Sequence, residues 1–338
     1  MPSPFPPSDE LPPVEPVRPG LWSVPVPIPV SPLRYVLTYA FEVPGGLVLV
    51  DPGWNAPESL AALESGLATM GAGLRDVRGV LVTHLHPDHY GLAGRVREVS
   101  GAWIALHPAD AALIPERYED VDALLERIVA WLRDTGVPAS DLADMRDASM
   151  AMRNFVVVAQ PDVLLEDGDR PEVPGWQLVA VHTPGHTPGH LCFHEERSGL
   201  LLTGDHVLPR ITANVSVHPQ STSDPLGDYL GSLERLRKYA GSPALPGHEW
   251  RFDNLGERLD QIVAHHERRL DATQALVAAG AETVYEVAVR LEWSRPWERI
   301  RGSMRRAAIG ETQAHLVALE RRGRLVRGGG RPLRWRVA

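Results

Sequence analysis

The chain has 338 residues, 43% of them hydrophobic and 23% charged, with a formal net charge of -9. These are the proportions of an ordinary globular protein with room for one large domain and a small one, and they argue against a disordered, collagenous or membrane-embedded chain. A lone cysteine, Cys192, excludes an intrachain disulfide and fits a reducing, cytoplasmic compartment. No apolar run approaches the roughly 18 residues of a membrane helix. The N-terminus is Pro-rich and acidic rather than signal-like, so neither a membrane partner nor export is expected.

Residues 1–20 hold too many prolines for helix or sheet and are expected to form an extended or disordered lead. Leu21–Val30, Arg34–Val43 and Gly46–Val50 read as strands. The alternating Pro25, Pro27 and Pro29 place the first of them at an edge or make it irregular. The third runs into Asp51-Pro52-Gly53. Ala56–Met70 reads as a helix, Gly79–Thr83 as a buried strand, Tyr90–Ser100 as a helix and Ala102–Leu106 as a strand. This β-α-β rhythm indicates an α/β layered core. A helical insertion at about 109–155 interrupts it, with Val121–Leu132 strongly periodic and Met145, Met150 and Met152 in a second stretch. These helices read either as a pocket wall or lid, or as cover for a sheet face or a homodimer contact.

Between the strand Gly79–Thr83 and the following helix lies His84-Leu85-His86-Pro87-Asp88-His89, three imidazoles and a carboxylate in six residues. Imidazole nitrogen and carboxylate oxygen are ligands for zinc and similar ions, and a turn at a strand's C-terminal end is where open α/β sheets place their sites. His84 and His86 alternate and can project the same way, while Asp88 and His89 follow one turn later.

Downstream, Trp176–Val181 feeds His182-Thr183-Pro184-Gly185-His186-Thr187-Pro188-Gly189, whose Pro-Gly pairs force turns suited to presenting a ligand. Leu200–Thr203 leads to Gly204-Asp205, and Ala244–Pro246 leads to Gly247-His248. The long helix Asn254–Ala279 carries His265 and His266, which point about 100° apart and make a poor ligand pair. Residues 281–338 hold 13 Arg against 6 acidic residues. They read as two helices, Glu282–Glu292 and Glu311–Arg322, and a Gly-turned basic hairpin with Trp335, the outline of a winged-helix-like C-terminal domain at about 271–338. Such a hairpin either tracks a phosphate backbone and stacks a base, or packs on the core.

His84-x-His86-x-Asp88-His89 resembles the signature of the metallo-β-lactamase superfamily. The segments around His186, Thr203-Gly204-Asp205 and Pro246-Gly247-His248 resemble its later motifs, in the same order. The resemblance covers about residues 20–270 and, more loosely, the tail, and places the catalytic domain at 21–270. It implies an αββα four-layer sandwich with two divalent metal ions, zinc in the first place with manganese or iron as alternatives. His84, His86 and His186 would hold one ion, Asp88, His89 and His248 the other, and Asp205 would bridge them. Asp51 would buttress the ligands. Glu249 stands where many relatives have Gly.

The implied chemistry is hydrolysis by a metal-bound water that loses its proton near neutral pH, with Asp88 orienting the nucleophile. Seven candidate ligands without cysteine speak against a purely structural zinc site. The first expectation is a small-molecule ester or thioester substrate, with Arg210 pairing with an anionic substrate group. The alternatives are a nuclease guided by the basic tail, and a nucleic-acid-binding regulator whose metal domain senses a ligand.

Overall fold

A computed structural model describes residues 11–29 and 31–338, and within 147–153 the backbone alone. Residues 1–10 of the expected lead, Val30 at the end of the first expected strand, and the side chains of Met150 and Met152 lie outside this description.

Glu15–Arg18 (β1), Leu21–Pro27 (β2), Tyr35–Val43 (β3), Gly46–Val50 (β4), Val77–Leu81 (β5), Trp103–Leu106 (β6) and Val163–Leu164 (β7) form one sheet in sequential order among the described residues. The lead is thus not wholly unstructured, because β1 pairs with Leu21, Trp22 and Ser23 of β2. Pro25 and Pro27 lie beyond that pairing and oppose only Leu37 and Tyr35 of β3, so their missing N–H groups interrupt no second ladder. From β4 onward the strands are parallel. They are connected by Pro57–Thr69 (α1), by Pro87–Tyr90 (α2) and Ala93–Ser100 (α3), and by the insertion, Pro108–Ala111 (α4), Asp122–Asp134 (α5) and Ala139–Met152 (α6).

The second sheet has the order β11-β10-β9-β8, from Leu178–His182 (β8), Leu191–Glu195 (β9), Leu200–Gly204 (β10) and Ala244–Pro246 (β11), with Pro225–Leu236 (α7) between β10 and β11. Leu255–Ala278 (α8), Val284–Arg290 (α9), Gly302–Arg321 (α10) and the hairpin Leu325–Gly328 (β12) and Arg334–Val337 (β13) complete the chain.

Period-two alternation sorts the side chains into layers. Val48 and Val50 of β4 face the second sheet, where Leu200 and Leu202 of β10 meet them. Leu49 turns to α1 and α3, and Leu201 turns to α7 and α8. Strands buried on both faces read as unbroken apolar runs, and the four layers are helix, sheet, sheet, helix. Leu63 and Leu67 of α1 are fully buried, each contributing about 1.5–3 kcal/mol. No described helix is long and apolar enough to cross a membrane.

The C-terminal segment shows the expected helix, helix and hairpin, but residues 271–338 have no core of their own. Val287, Leu319 and Trp335 share one core with Leu132 of α5, Met145 of α6 and Leu233 of α7. The expected helix from Glu311 instead begins at Gly302. The buried Arg305, paired with Asp141 at 3.0 Å, hides the apolar period in its first turns. Trp335 is 1% exposed, so it offers no platform for stacking a base. Several tail arginines are paired with acids: Arg322 with Glu267 and Arg331 with Asp134 of the body, and Arg324 with Asp271.

Candidate metal centre

Each cluster of expected ligands sits just past the C-terminal end of a strand: Asp51 after β4, His84–His89 after β5, His186 after β8, Asp205 after β10 and His248 after β11. The two sheets bring these five turns to one rim. His84 Nε2 and His186 Nε2 each lie 3.0 Å from His86 Nδ1. His248 Nε2 lies 3.4 Å from Asp88 Oδ2 and 3.3 Å from His89 Nε2. Asp205 stands between the groups. Its Oδ1 is 3.3 Å from both His89 Nε2 and His248 Nε2, and its Oδ2 is 3.7 Å from His186 Nε2. His84, His86 and His186, and likewise Asp88, His89 and His248, each place ligand atoms within 4.8 Å of one another. All seven expected ligands therefore converge.

The donor set fits divalent cations. Asp205 Oδ1 is buried with no hydrogen-bond donor among the described residues, although it faces two imidazoles. A cation between them would satisfy it. Burial pushes the imidazoles of His84, His86 and His186 below their ordinary range, which leaves them neutral, the form that ligates. His89 and His248 behave otherwise. Burial would lower them too, but the nearby carboxylates, Asp205 foremost, outweigh it and raise His248 to about 10. The same negative charge that raises these imidazoles favours a bound cation. For Asp88, burial is outweighed by His89 and His248, which hold its carboxyl below the usual range.

The ring nitrogens turned away from the centre are fixed by hydrogen bonds, which sets tautomer and orientation. His89 Nδ1 donates to Asp51 Oδ2 at 2.8 Å, His186 Nδ1 to the Asn214 carbonyl at 2.8 Å and His248 Nδ1 to the Tyr35 carbonyl at 2.7 Å. Thr83 Oγ1 lies 3.0 Å from His84 Nδ1 and donates to Asp51 Oδ2 at 2.7 Å. Asp51 thus takes the buttressing place expected of it. It does so at φ 55°, a left-handed conformation that Asp tolerates better than most residues. His190, just past the His182–Gly189 motif, accepts from the Asp205 amide at 3.2 Å through Nε2. His182 bonds within its loop, to the Pro188 carbonyl at 2.9 Å.

Sequence reasoning missed Asp110. Its carboxylate accepts from the Leu85 amide at 3.0 Å, from Thr187 Oγ1 at 2.9 Å and from the Gly189 amide at 2.7 Å. It clamps the His84–His86 turn to the His186 turn. Burial pushes this carboxyl up to about 6 against the pull of those donors. Nothing in the surrounding Pro-Ala-Asp-Ala helix start marks such a residue.

A search against family models matches residues 31–248 to the metallo-beta-lactamase superfamily. The chain belongs to that superfamily. Among solved structures, the metallo-beta-lactamase family protein TTHA1429 from Thermus thermophilus is 33% identical with a TM-score of 0.83, over 95% of this chain and 100% of that one. A beta-lactamase domain protein from Burkholderia ambifaria is 26% identical with a TM-score of 0.83, over 99% and 98%. Among curated proteins, the probable metallo-hydrolase YqjP of Bacillus subtilis is 29% identical, covering 67% of this chain and 68% of its own. The acyl-coenzyme A thioesterase MBLAC2 of Gallus gallus is 29% identical, over 73% and 84%. Hydrolase chemistry at a divalent-metal site is the superfamily's common ground.

In this superfamily member the centre opens into a cavity of about 190 Å³ whose lining includes His86 and His186. Its apolar wall is Val121, Leu124, Leu125 and Ile128 at the start and along one face of α5, so the insertion does line a pocket. Arg210 does not line it. Its guanidinium pairs with Glu249 Oε1 at 2.7 Å, and Glu249 Oε2 also accepts from the Arg210 amide at 3.1 Å. The expected anionic substrate partner of Arg210 is thus matched in this structure by a carboxylate of the chain itself, Glu249. Glu249 has φ 68°, a conformation that suits Gly, and the Arg210 pairing helps to hold it there. The arginines that do line the cavity are Arg117 and Arg306, both unnoticed in the sequence.

Proposed function

We propose that this chain is a dinuclear metal-dependent hydrolase of a small ester or, by preference, a thioester. The observation that carries this reading is the placement of Asp205, one oxygen toward His186 and the other toward His89 and His248, beside an apolar cavity. A carboxylate so placed would bridge two ions, held by His84, His86 and His186 and by Asp88, His89 and His248. When bound, the ions, zinc first with manganese or iron as alternatives, supply an acidified water and a Lewis acid for the scissile carbonyl. The residues do the rest. Asp88 keeps its proton off and its side chain is 14% exposed, so Oδ2 can orient the attacking water and carry its proton toward the leaving group. The wall of α5 excludes water and holds the acyl portion. The similarity to MBLAC2, named an acyl-coenzyme A thioesterase, supports the thioester preference.

The nuclease and regulator alternatives rested on the tail. There Trp335 is buried and several arginines are paired with acids, so we do not carry them. The test is turnover of an S-acyl glutathione and an aryl ester beside a short single-stranded RNA, on one metal-replete preparation. Thioester turnover that disappears in Asp88→Ala and in His186→Ala is expected. Wild-type turnover in either variant, or RNA cleavage without thioester cleavage, would overturn the reading.

A further inference from the structure

Arg117 comes from the short segment Pro115–Glu119 and Arg306 from α10, nearly two hundred residues later by the numbering, yet both reach the same cavity as His86 and His186. Among the described residues neither has a carboxylate within ion-pairing distance. Their contacts are long and neutral: Arg117 Nη1 donates to Gln220 Oε1 at 3.4 Å, and Arg306 Nη1 to the Met145 carbonyl at 3.3 Å. This is not a shortage of acid nearby. The neighbouring Arg305 has Asp141 at 3.0 Å, and Glu116, beside Arg117, pairs with Arg127 instead. Two like charges in a half-enclosed apolar space are costly unless something of opposite sign joins them. Burial, reinforced by Arg117, lowers Arg306 to about 10, which still leaves it charged at neutral pH. His218, on the same wall, is lowered by burial to about 3 and adds no charge.

We propose that Arg117 and Arg306 form an anion subsite that selects acyl groups ending in a carboxylate, a deeper statement of substrate class that rests on the hydrolase reading above. A guanidinium meets a carboxylate with two parallel N–H donors, a match of shape as well as charge. Leu124, Leu125 and Ile128 line the same space and would pack the methylenes of a short chain. One end of the substrate would lie at the arginines and the scissile carbonyl at His86 and His186. The cavity, at about 190 Å³, suits a short acyl group better than a bulky leaving group.

The experiment compares glutaryl and butyryl thioesters of N-acetylcysteamine, a neutral leaving group, on the metal-replete full chain. Wild type is expected to favour the glutaryl substrate in kcat/KM by at least about tenfold. Arg117→Gln and Arg306→Gln are expected to collapse that ratio toward one, and Arg306→Lys to retain part of it. Equal turnover of the two substrates by wild type, or an undiminished ratio in both Gln variants, would overturn the proposal. So would a loss seen only with butyryl-coenzyme A, since it would place the recognised anion on the leaving group. Calorimetric binding of glutarate, with butyrate as the control for carboxylates bound at the metals, separates this idea from the reaction. If neither thioester nor ester is cleaved, the hydrolase reading fails. The subsite then stands if glutarate binds wild type more tightly than butyrate and Arg306→Gln loses the difference, and it falls if the two bind alike.

Discussion

His89 donates from Nδ1 to Asp51 Oδ2 at 2.8 Å, which leaves Nε2 as the nitrogen turned toward Asp88, Asp205 and His248. One carboxylate therefore decides which face of an imidazole can ligate. The same Asp51 also accepts from the Thr83 amide at 2.7 Å, so it holds the start of the His84–His89 turn in register. Asp51→Asn is expected to lower metal affinity by about 10–100-fold while the fold persists, the range seen when a ligand's supporting partner is lost. Metal content after dialysis and circular dichroism check both halves, and unchanged retention of metal would refute the assignment.

Asp110 reaches two ligand turns from outside the motifs. Asp110→Asn replaces an accepting oxygen with a donating amide, against either the Gly189 amide or the Leu85 and Thr187 donors. A buried donor facing a donor costs about 1–3 kcal/mol. The expected outcome is a lower unfolding midpoint together with weaker metal binding, read by urea titration and by competition with a chelator. A stability loss with intact metal affinity would make Asp110 a packing residue only.

Gly247 marks a close approach. A Cβ there would stand 2.7 Å from His89 Cε1 and 2.8 Å from Asp205 Oδ1. Neither neighbour can retreat without leaving the metal centre, because Asp51 holds His89 and the His190 contact fixes the Asp205 amide. Gly247→Ala is expected to cut metal affinity at least about tenfold, on the same scale as loss of a ligand's support. Gly241→Ala, whose Cβ would meet nothing, is the control and should bind metal normally.

Acid stability follows from two buried histidines outside the ligand set, His266 and His315. Burial lowers His266 to about 2, helped by His315, and burial lowers His315 to about 4. An unfolded chain takes up those protons near its ordinary value of 6.5, and the folded protein resists until the lower values. For a depressed histidine the stabilisation is present above the unfolded value and is lost as pH falls. Stability should therefore decline between about pH 6.5 and 4, by about 1.4 kcal/mol per pH unit for each such group. His315→Gln removes one of them and should flatten the decline. Urea denaturation of metal-free wild type and variant across that range measures it, and parallel slopes would count against the account.

The ligands were legible in the sequence because their chemistry is concentrated. His84, His86, Asp88 and His89 fall within six residues after an apolar strand, and His186, Asp205 and His248 each follow a strand and a turn-forming glycine or proline. The layered α/β core was legible for a related reason, since strands buried on both faces leave unbroken apolar runs. What the sequence could not assign was anything that depends on contacts between distant segments. Asp110 clamps turns 25 and 79 residues away, and Arg117 and Arg306 meet only because the insertion and α10 close on one cavity. Arg210 and Trp335 looked available for binding by residue type. Tertiary packing gave one to Glu249 and buried the other. Residue type and spacing set what a side chain can do, and the packing of remote elements sets whether its charge or ring is left free to do it.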